Sequence, residues 1–204
     1  MHAGSTLFLD VCVQRDLAAG GAWPLLAPAD EREIRALFAG AASLGIRQGG
    51  IVCLHRDPPQ GVPAHCHAES AGSARLAMPA VPALTIDPAQ DGGRTFDRAH
   101  ALYVASGCAA APDATDAGAR AVAHLTAGIR DAVVFGAGLE HGLAHAVDAL
   151  LQRRIRTHVA LDASVAADPA GAQRVVADWK RRTVDVTTAA MVMRLLTRPG
   201  AAKV

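Results

Sequence analysis

The chain has 204 residues, 51% of them apolar but only 3% aromatic, with 20 Lys and Arg against 19 Asp and Glu. That length fits one compact domain with a full core, while a formal charge of +1 without a basic run excludes an electrostatic footprint for nucleic acid, and the scarcity of aromatics excludes a stacking platform. The apolar runs fall short of the roughly 20 residues that a membrane span needs.

The opening, MHAGSTLFLDVCVQRD, carries no cationic leader and reads as a first strand over residues 6–13, not as a signal peptide. Asp30 and Glu33 have capping-box spacing. Behind them Ile34, Leu37, Phe38, Ala41 and Leu44 repeat at helical spacing, closed by Gly45. Residues 51–55 are the second strand. Residues 57–96 are rich in Pro, Gly, Ser and Ala without a period, a long excursion of the kind that carries function in compact domains. Residues 101–105 form the third strand, and Asp113 or Thr115 caps a helix ending near Gly128. Residues 132–135 are a short buried strand, 140–153 a helix and 157–161 the next strand.

Asp168 with Pro169 is an N-cap and first-turn pair starting a helix to about Arg182. A strand at 183–186 and a helix from Thr188 complete the domain, leaving 197–204 as a tail. Strands separated by single helices imply right-handed crossovers and a parallel sheet, hence an α/β fold in one domain over residues 1–204. Four cysteines without paired spacing imply reduced thiols and a cytoplasmic protein.

VQRDLAAGGAWPL, PAHCHAESAGSARL, VVFGAGLEHG and RRIRTHVALDAS occur in this order, followed by RTVDVTTAAMV. Together they resemble the isochorismatase-like hydrolases, the superfamily of nicotinamidase, N-carbamoylsarcosine amidase and isochorismatase, from Leu7 to about Leu196. The resemblance implies a three-layer, Rossmann-like, six-stranded parallel sheet with helices on both faces and a pocket at the C-terminal ends of the strands. It also implies hydrolysis of a small amide or enol-ether metabolite and a homodimer or higher homo-oligomer. A small-molecule ligand is the partner it suggests; a nucleotide cofactor, nucleic acid or membrane is not.

Those hydrolases mostly use an Asp, a Lys and a Cys. Here Cys12, Cys53, Cys66 and Cys108 all precede residue 109, and the only lysines are Lys180 and Lys203. Framed by Gly136 and Asp162, the Cys position is Gly142, with His141 just before it and Gly138 and Leu139 leading in. Backbone amides at such a helix start can still hold an anion. Some members of the isochorismatase branch also carry Gly there, since vinyl-ether hydrolysis needs an acid and no nucleophile. The family's first motif, D-x-Q-x-D-F followed by G-G, is matched by Gln14, Asp16, Gly20 and Gly21, the first two as substrate-binding candidates.

Cys12 stands where that motif's acid belongs. Asp10 lies two residues earlier on the same strand face, about 6–7 Å back, and reaches the site only if the strand bulges; Asp16 is the other acid candidate. The Lys position in YVASGC is Ser106. Nicotinamidases also hold a metal, and His65 and Cys66 match their P-x-H-C run, with His67 added. The D-W-H-P partner is matched only by Asp57-Pro58-Pro59, without its His. His55, Asp57, His65 and His67 make an improvised divalent-metal set, since imidazole and carboxylate suit zinc or iron. Cys12 with His141 as base is a further nucleophile option. Two functions follow: a divergent hydrolase with non-standard catalytic residues, or a catalytically inactive relative serving as a small-molecule-binding or interaction subunit.

Overall fold

Seven strands, β1 (Thr6–Val11), β2 (Arg47–Cys53), β3 (Ala83–Ile86), β4 (Ala101–Ser106), β5 (Asp131–Ala137), β6 (Arg156–Val165) and β7 (Asp185–Thr187), alternate with helices α1 (Pro28–Ser43), α2 (Asp116–Thr126), α3 (Ala144–Gln152), α4 (Pro169–Arg181) and α5 (Ala189–Thr197). The structure, a computed structural model, describes residues 1–56, 61–77, 79, 81–87, 100–106 and 116–198. The strands form one sheet in the order β3-β4-β2-β1-β5-β6-β7, every pairing parallel. The sheet therefore has seven strands where the sequence reading expects six. The additional strand, β3, comes from the aperiodic excursion and pairs with the outer edge of β4, a tertiary contact with no local signature.

Strand order reverses at β1, whose neighbours are β2 and β5. A crevice opens at such a switch point, at the C-terminal ends of the strands. On one face Leu7, Leu9, Ile51 and Val104 lie beneath Val122 and Leu125 of α2 and Leu150 of α3. On the other, Phe135 meets Phe8 and the α1 residue Phe38 edge-on, with ring centroids 6.2 and 5.8 Å apart.

Local chemistry sets several boundaries. The Asp168 carboxylate accepts from the Ala170 and Gly171 amides at the start of α4, and Thr188 accepts from the Met191 amide at the start of α5. Two expected boundaries shift. Helix α1 begins at Pro28, and the Ala27 amide donates to Asp30 Oδ2 (2.8 Å). Asp30 thus sits inside the first turn, where Pro28 has already set the helical φ. The expected helix over 140–153 begins as a π turn, Leu139–Leu143, before α3. Asp113 and Thr115 lie outside the described residues. Among those described, no helix is long and apolar enough to cross a membrane.

Strand β2 starts four residues before the expected position because Gly49-Gly50 lies inside it. A Cβ on Gly49 would lie 2.4 Å from Leu125 Cδ2, and one on Gly50 2.1 Å from the Asp10 carbonyl oxygen. These glycines serve close approach on both faces of a strand, not a turn.

Candidate functional site

The site grows from the chain's exit from β1. Cys12, buried and with φ at 52°, turns the backbone out of the sheet. Gln14 is fully buried: its Nε2 donates to the Cys53 and Ser73 carbonyls (2.8 Å each), and its Oε1 accepts from the Cys53 amide (2.7 Å). The side chain thus staples the end of β2 to the 3-10 turn Ala71–Ser73. Asp16 Oδ2 accepts from the Cys66 amide (2.7 Å), and a Cβ on Gly72 would meet the Asp16 carboxylate. A Cβ on Gly21 would fall 2.3 Å from the Arg15 carbonyl oxygen, so the Gly-Gly pair lets the chain double back. The Trp23 amide then donates to the Asp16 carbonyl (2.8 Å), and the indole sits 4.6 Å from the His65 ring. The retained Gln, Asp and Gly-Gly of the first motif scaffold the loop over residues 61–77.

That loop brings His65 to the end of β2. Cys53 Sγ lies 2.9 Å from His55 Nε2 and 3.7 Å from His65 Nε2. These three donors converge within 4.8 Å, the one group of three such side chains among the described residues. The Pro63 carbonyl can only accept, so His65 Nδ1 carries the proton it donates there (2.7 Å). In the neutral ring, Nε2 then turns its lone pair toward the sulfur. A sulfur flanked by two imidazoles is a donor set that fits zinc or another borderline-soft divalent cation. A second hydrogen bond that fixes the ring orientation of a ligating His is a recurrent support of metal sites.

This set differs from the expected one. Cys53 joins His55 and His65, while His67 is exposed, donates to the Ala68 carbonyl (2.9 Å) and is not part of the group. Asp57 lies outside the described residues. Cys53 was legible: two residues before His55 in an extended chain, it shares that residue's side of the strand. Matching the upstream partner to Asp57 instead hid that spacing.

Asp10 is only 1% exposed. Its carboxylate accepts from Arg75 Nη2 and from the Tyr103 hydroxyl, each at 3.0 Å. Asp10, Gly50 and Tyr103 are in register across β1, β2 and β4, and the absence of a side chain on Gly50 lets the phenol cross the middle strand. The Arg75 guanidinium stacks 3.6 Å above the Tyr103 ring, and its Nε donates to the Ala77 carbonyl (3.2 Å). Burial pushes the Asp10 carboxyl upward, against the pull of Arg75 and Tyr103. Burial also pushes the Tyr103 phenol up, reinforced by the Asp10 charge, so Tyr103 stays a neutral donor. No β1 bulge carries Asp10 forward: its pairing with β2 and β5 is regular.

The remaining expected residues lie on neighbouring elements. Ser106 closes β4 in register with Cys53. Gly138, with φ at 77°, takes the chain from β5 into the π turn. Its carbonyl accepts from the His141 and Leu143 amides (3.0 and 3.1 Å), which engages two donors of the helix start. Leu139 and Gly142 are buried, and His141 is exposed. Glu140 turns to α4, where Oε1 accepts from the Ala167 and Asp168 amides (2.9 and 2.7 Å).

No family model and no curated protein matches this chain in sequence. Solved structures match it in fold. An isochorismatase family protein from Desulfovibrio vulgaris subsp. vulgaris str. Hildenborough superposes with a TM-score of 0.68 at 18% identity, covering 95% of this chain and 99% of that one. A pyrazinamidase of Pyrococcus horikoshii, in complex with zinc, gives 0.65 at 16% identity over 90% and 99%. The MAR1 ribonuclease from Caenorhabditis elegans gives 0.60 at 11% identity over 95% and 81%.

Proposed function

Starting from the isochorismatase-like hydrolase fold that this chain has, we propose that it is a metal-dependent hydrolase of a small amide or enol-ether metabolite, working without the Cys and Lys that the sequence resemblance leads one to expect. The observation that carries this reading is the convergence of Cys53, His55 and His65 at the C-terminal end of β2. The zinc in the pyrazinamidase of the same fold supports it.

A divalent cation held there would supply Lewis-acid polarisation and activation of water at neutral pH. Cys53 would contribute an anionic donor, which a buried cation needs for charge balance. His65 contributes Nε2, oriented through its bond to the Pro63 carbonyl. His55 contributes the second imidazole and also ties the loop down, its amide donating to the Cys66 carbonyl (3.0 Å). Trp23 walls one side of the His65 ring and keeps bulk water off it. A cation held by these three donors, the set found among the described residues, would be of the kind that catalytic sites keep open to a small molecule.

The sealed Asp10 carboxylate favours a second reading, in which the same centre binds a small molecule without turnover. One experiment separates the two. Metal content is measured on protein purified in zinc, for the parent, Cys53→Ser and His65→Ala, and each is incubated with carboxamides, carbamoyl compounds and vinyl ethers under mass-spectrometric readout. The hydrolase reading expects one metal per parent chain, loss in both variants, and product only from the loaded parent. Metal with a ligand bound unchanged supports the second reading. A parent without metal overturns both.

A further inference from the structure

We propose that Asp10, Arg75 and Tyr103 form a latch that sets the register of the His65-bearing loop on β1, making them positioning residues for the metal centre. The inference rests on the metal reading above.

The loop over residues 61–77 carries His65 near one end and Arg75 near the other. Its Arg75 end lies antiparallel beside the exit of β1, where the Arg15 amide donates to the Ala74 carbonyl (2.9 Å) and the Leu76 amide to the Val13 carbonyl (3.0 Å). A pairing this short specifies a neighbour but barely a register. A slip of one residue would turn every side chain to the opposite face. Only the observed register points the guanidinium at Asp10, where the pair is 8% and 2% exposed. In either slipped register Ala74 or Leu76 would face the carboxylate, which would then be buried without its cation. A buried charge left unpaired is strongly unfavourable, so the ion pair selects one alignment against its neighbours.

The same alignment places His65. With Arg75 docked, the Ser73 carbonyl meets Gln14 Nε2 and the Cys66 amide meets Asp16 Oδ2, and His65 Nε2 arrives 3.7 Å from Cys53 Sγ. One residue of slip moves an extended chain about 3.3 Å. That displacement is nearly the whole Cys53–His65 separation and would take the imidazole out of reach. Tyr103 completes the latch from the sheet side: its hydroxyl orients the carboxylate, and its ring is the platform on which the guanidinium lies.

The test uses the full chain with Asp10→Asn and Arg75→Met combined, which removes the pair without stranding a charge, beside Arg75→Lys and Tyr103→Phe. Hydrogen exchange reports loop docking with no metal present, and cobalt(II) titration, with thiolate-to-metal absorption and chelator competition, reports ligand placement. In the double variant, exchange in peptides within 61–77 should rise roughly tenfold or more while β5 peptides keep parental protection. Cobalt affinity should fall by roughly 10–100-fold with a weakened thiolate band, and Arg75→Lys should recover part of both. A folded double variant with parental loop exchange and a parental cobalt spectrum overturns the latch. If the double variant does not fold, Tyr103→Phe decides by the same two readouts, with smaller changes in the same direction. A parent that takes up no cobalt refutes the metal reading, and the exchange data then judge the latch alone.

Discussion

Replacing Gly50 by alanine probes the packing on which the Asp10 cluster depends. The added methyl would lie 2.1 Å from the Asp10 carbonyl oxygen, 2.9 Å from Tyr103 Cε1 and 3.0 Å from Asp10 Cγ. The first of these is backbone of the central strand, so β1 and β2 must part there, and the phenol, also closer than a Cβ allows, must shift as well. Overpacking of a filled core costs about 1–3 kcal/mol. Displacing Tyr103 removes a hydrogen bond to a charged group, worth about 1.5–3 kcal/mol. Their sum, about 2.5–6 kcal/mol, is a large share of the 5–15 kcal/mol that typically holds a domain folded. For a chain of this size each kcal/mol moves Tm by about 2–4 °C, so the expected fall is on the order of 10 °C. Thermal unfolding followed by circular dichroism measures it, with Tyr103→Phe alongside to isolate the hydroxyl. Gly50→Ala melting within about 2 °C of the parent would refute the close approach across β2, and Tyr103→Phe melting with the parent would refute the hydrogen bond.

Two further outcomes follow from groups away from the metal centre. Burial raises the Asp131 carboxyl, but hydrogen bonds from Arg156 and His158 outweigh it and hold the group below its ordinary value. A folded-state pKa below the unfolded one, about 3.9, contributes stability above that value and loses it as pH falls through the lower, folded value. The gap in Tm between the parent and Asp131→Asn should therefore be widest near neutral pH and shrink as pH falls below the ordinary carboxylate range; a gap unchanged across a titration of melting curves would contradict the pairing. Asp168→Ala frees the Ala170 and Gly171 amides at the start of α4. It should cost about 1 kcal/mol, read as a fall of about 2–4 °C in Tm, and an unchanged Tm would mean the cap contributes nothing.

The sequence by itself determined the alternation of strands and helices, because those signals are local. Asp168 before Pro169 and Thr188 cap the helices they were expected to start. Helical spacing from Ile34 to Ala41 marked the buried stripe of α1. His65 and the Gln14-to-Gly21 motif were also legible as residue types in a recognisable order. Their work was not: Gln14 and Asp16 hold protein backbone.

What only the tertiary structure decided depends on which strands are neighbours and in what register. Gly49-Gly50 belongs to β2, ahead of the expected strand start at residue 51, because Leu125 and Tyr103 need the space beside it. Short β3 exists only because β4 offers it an edge. Asp10 and Arg75 stand 65 residues apart, so no spacing rule joins them, and Tyr103 reaches Asp10 only across a strand lacking a side chain. His65 joins Cys53 and His55 only because the loop folds it back onto the end of β2. Periodicity and caps are written by residues within one turn or strand of each other, whereas this centre is assembled by close approach between segments that only the finished sheet brings together.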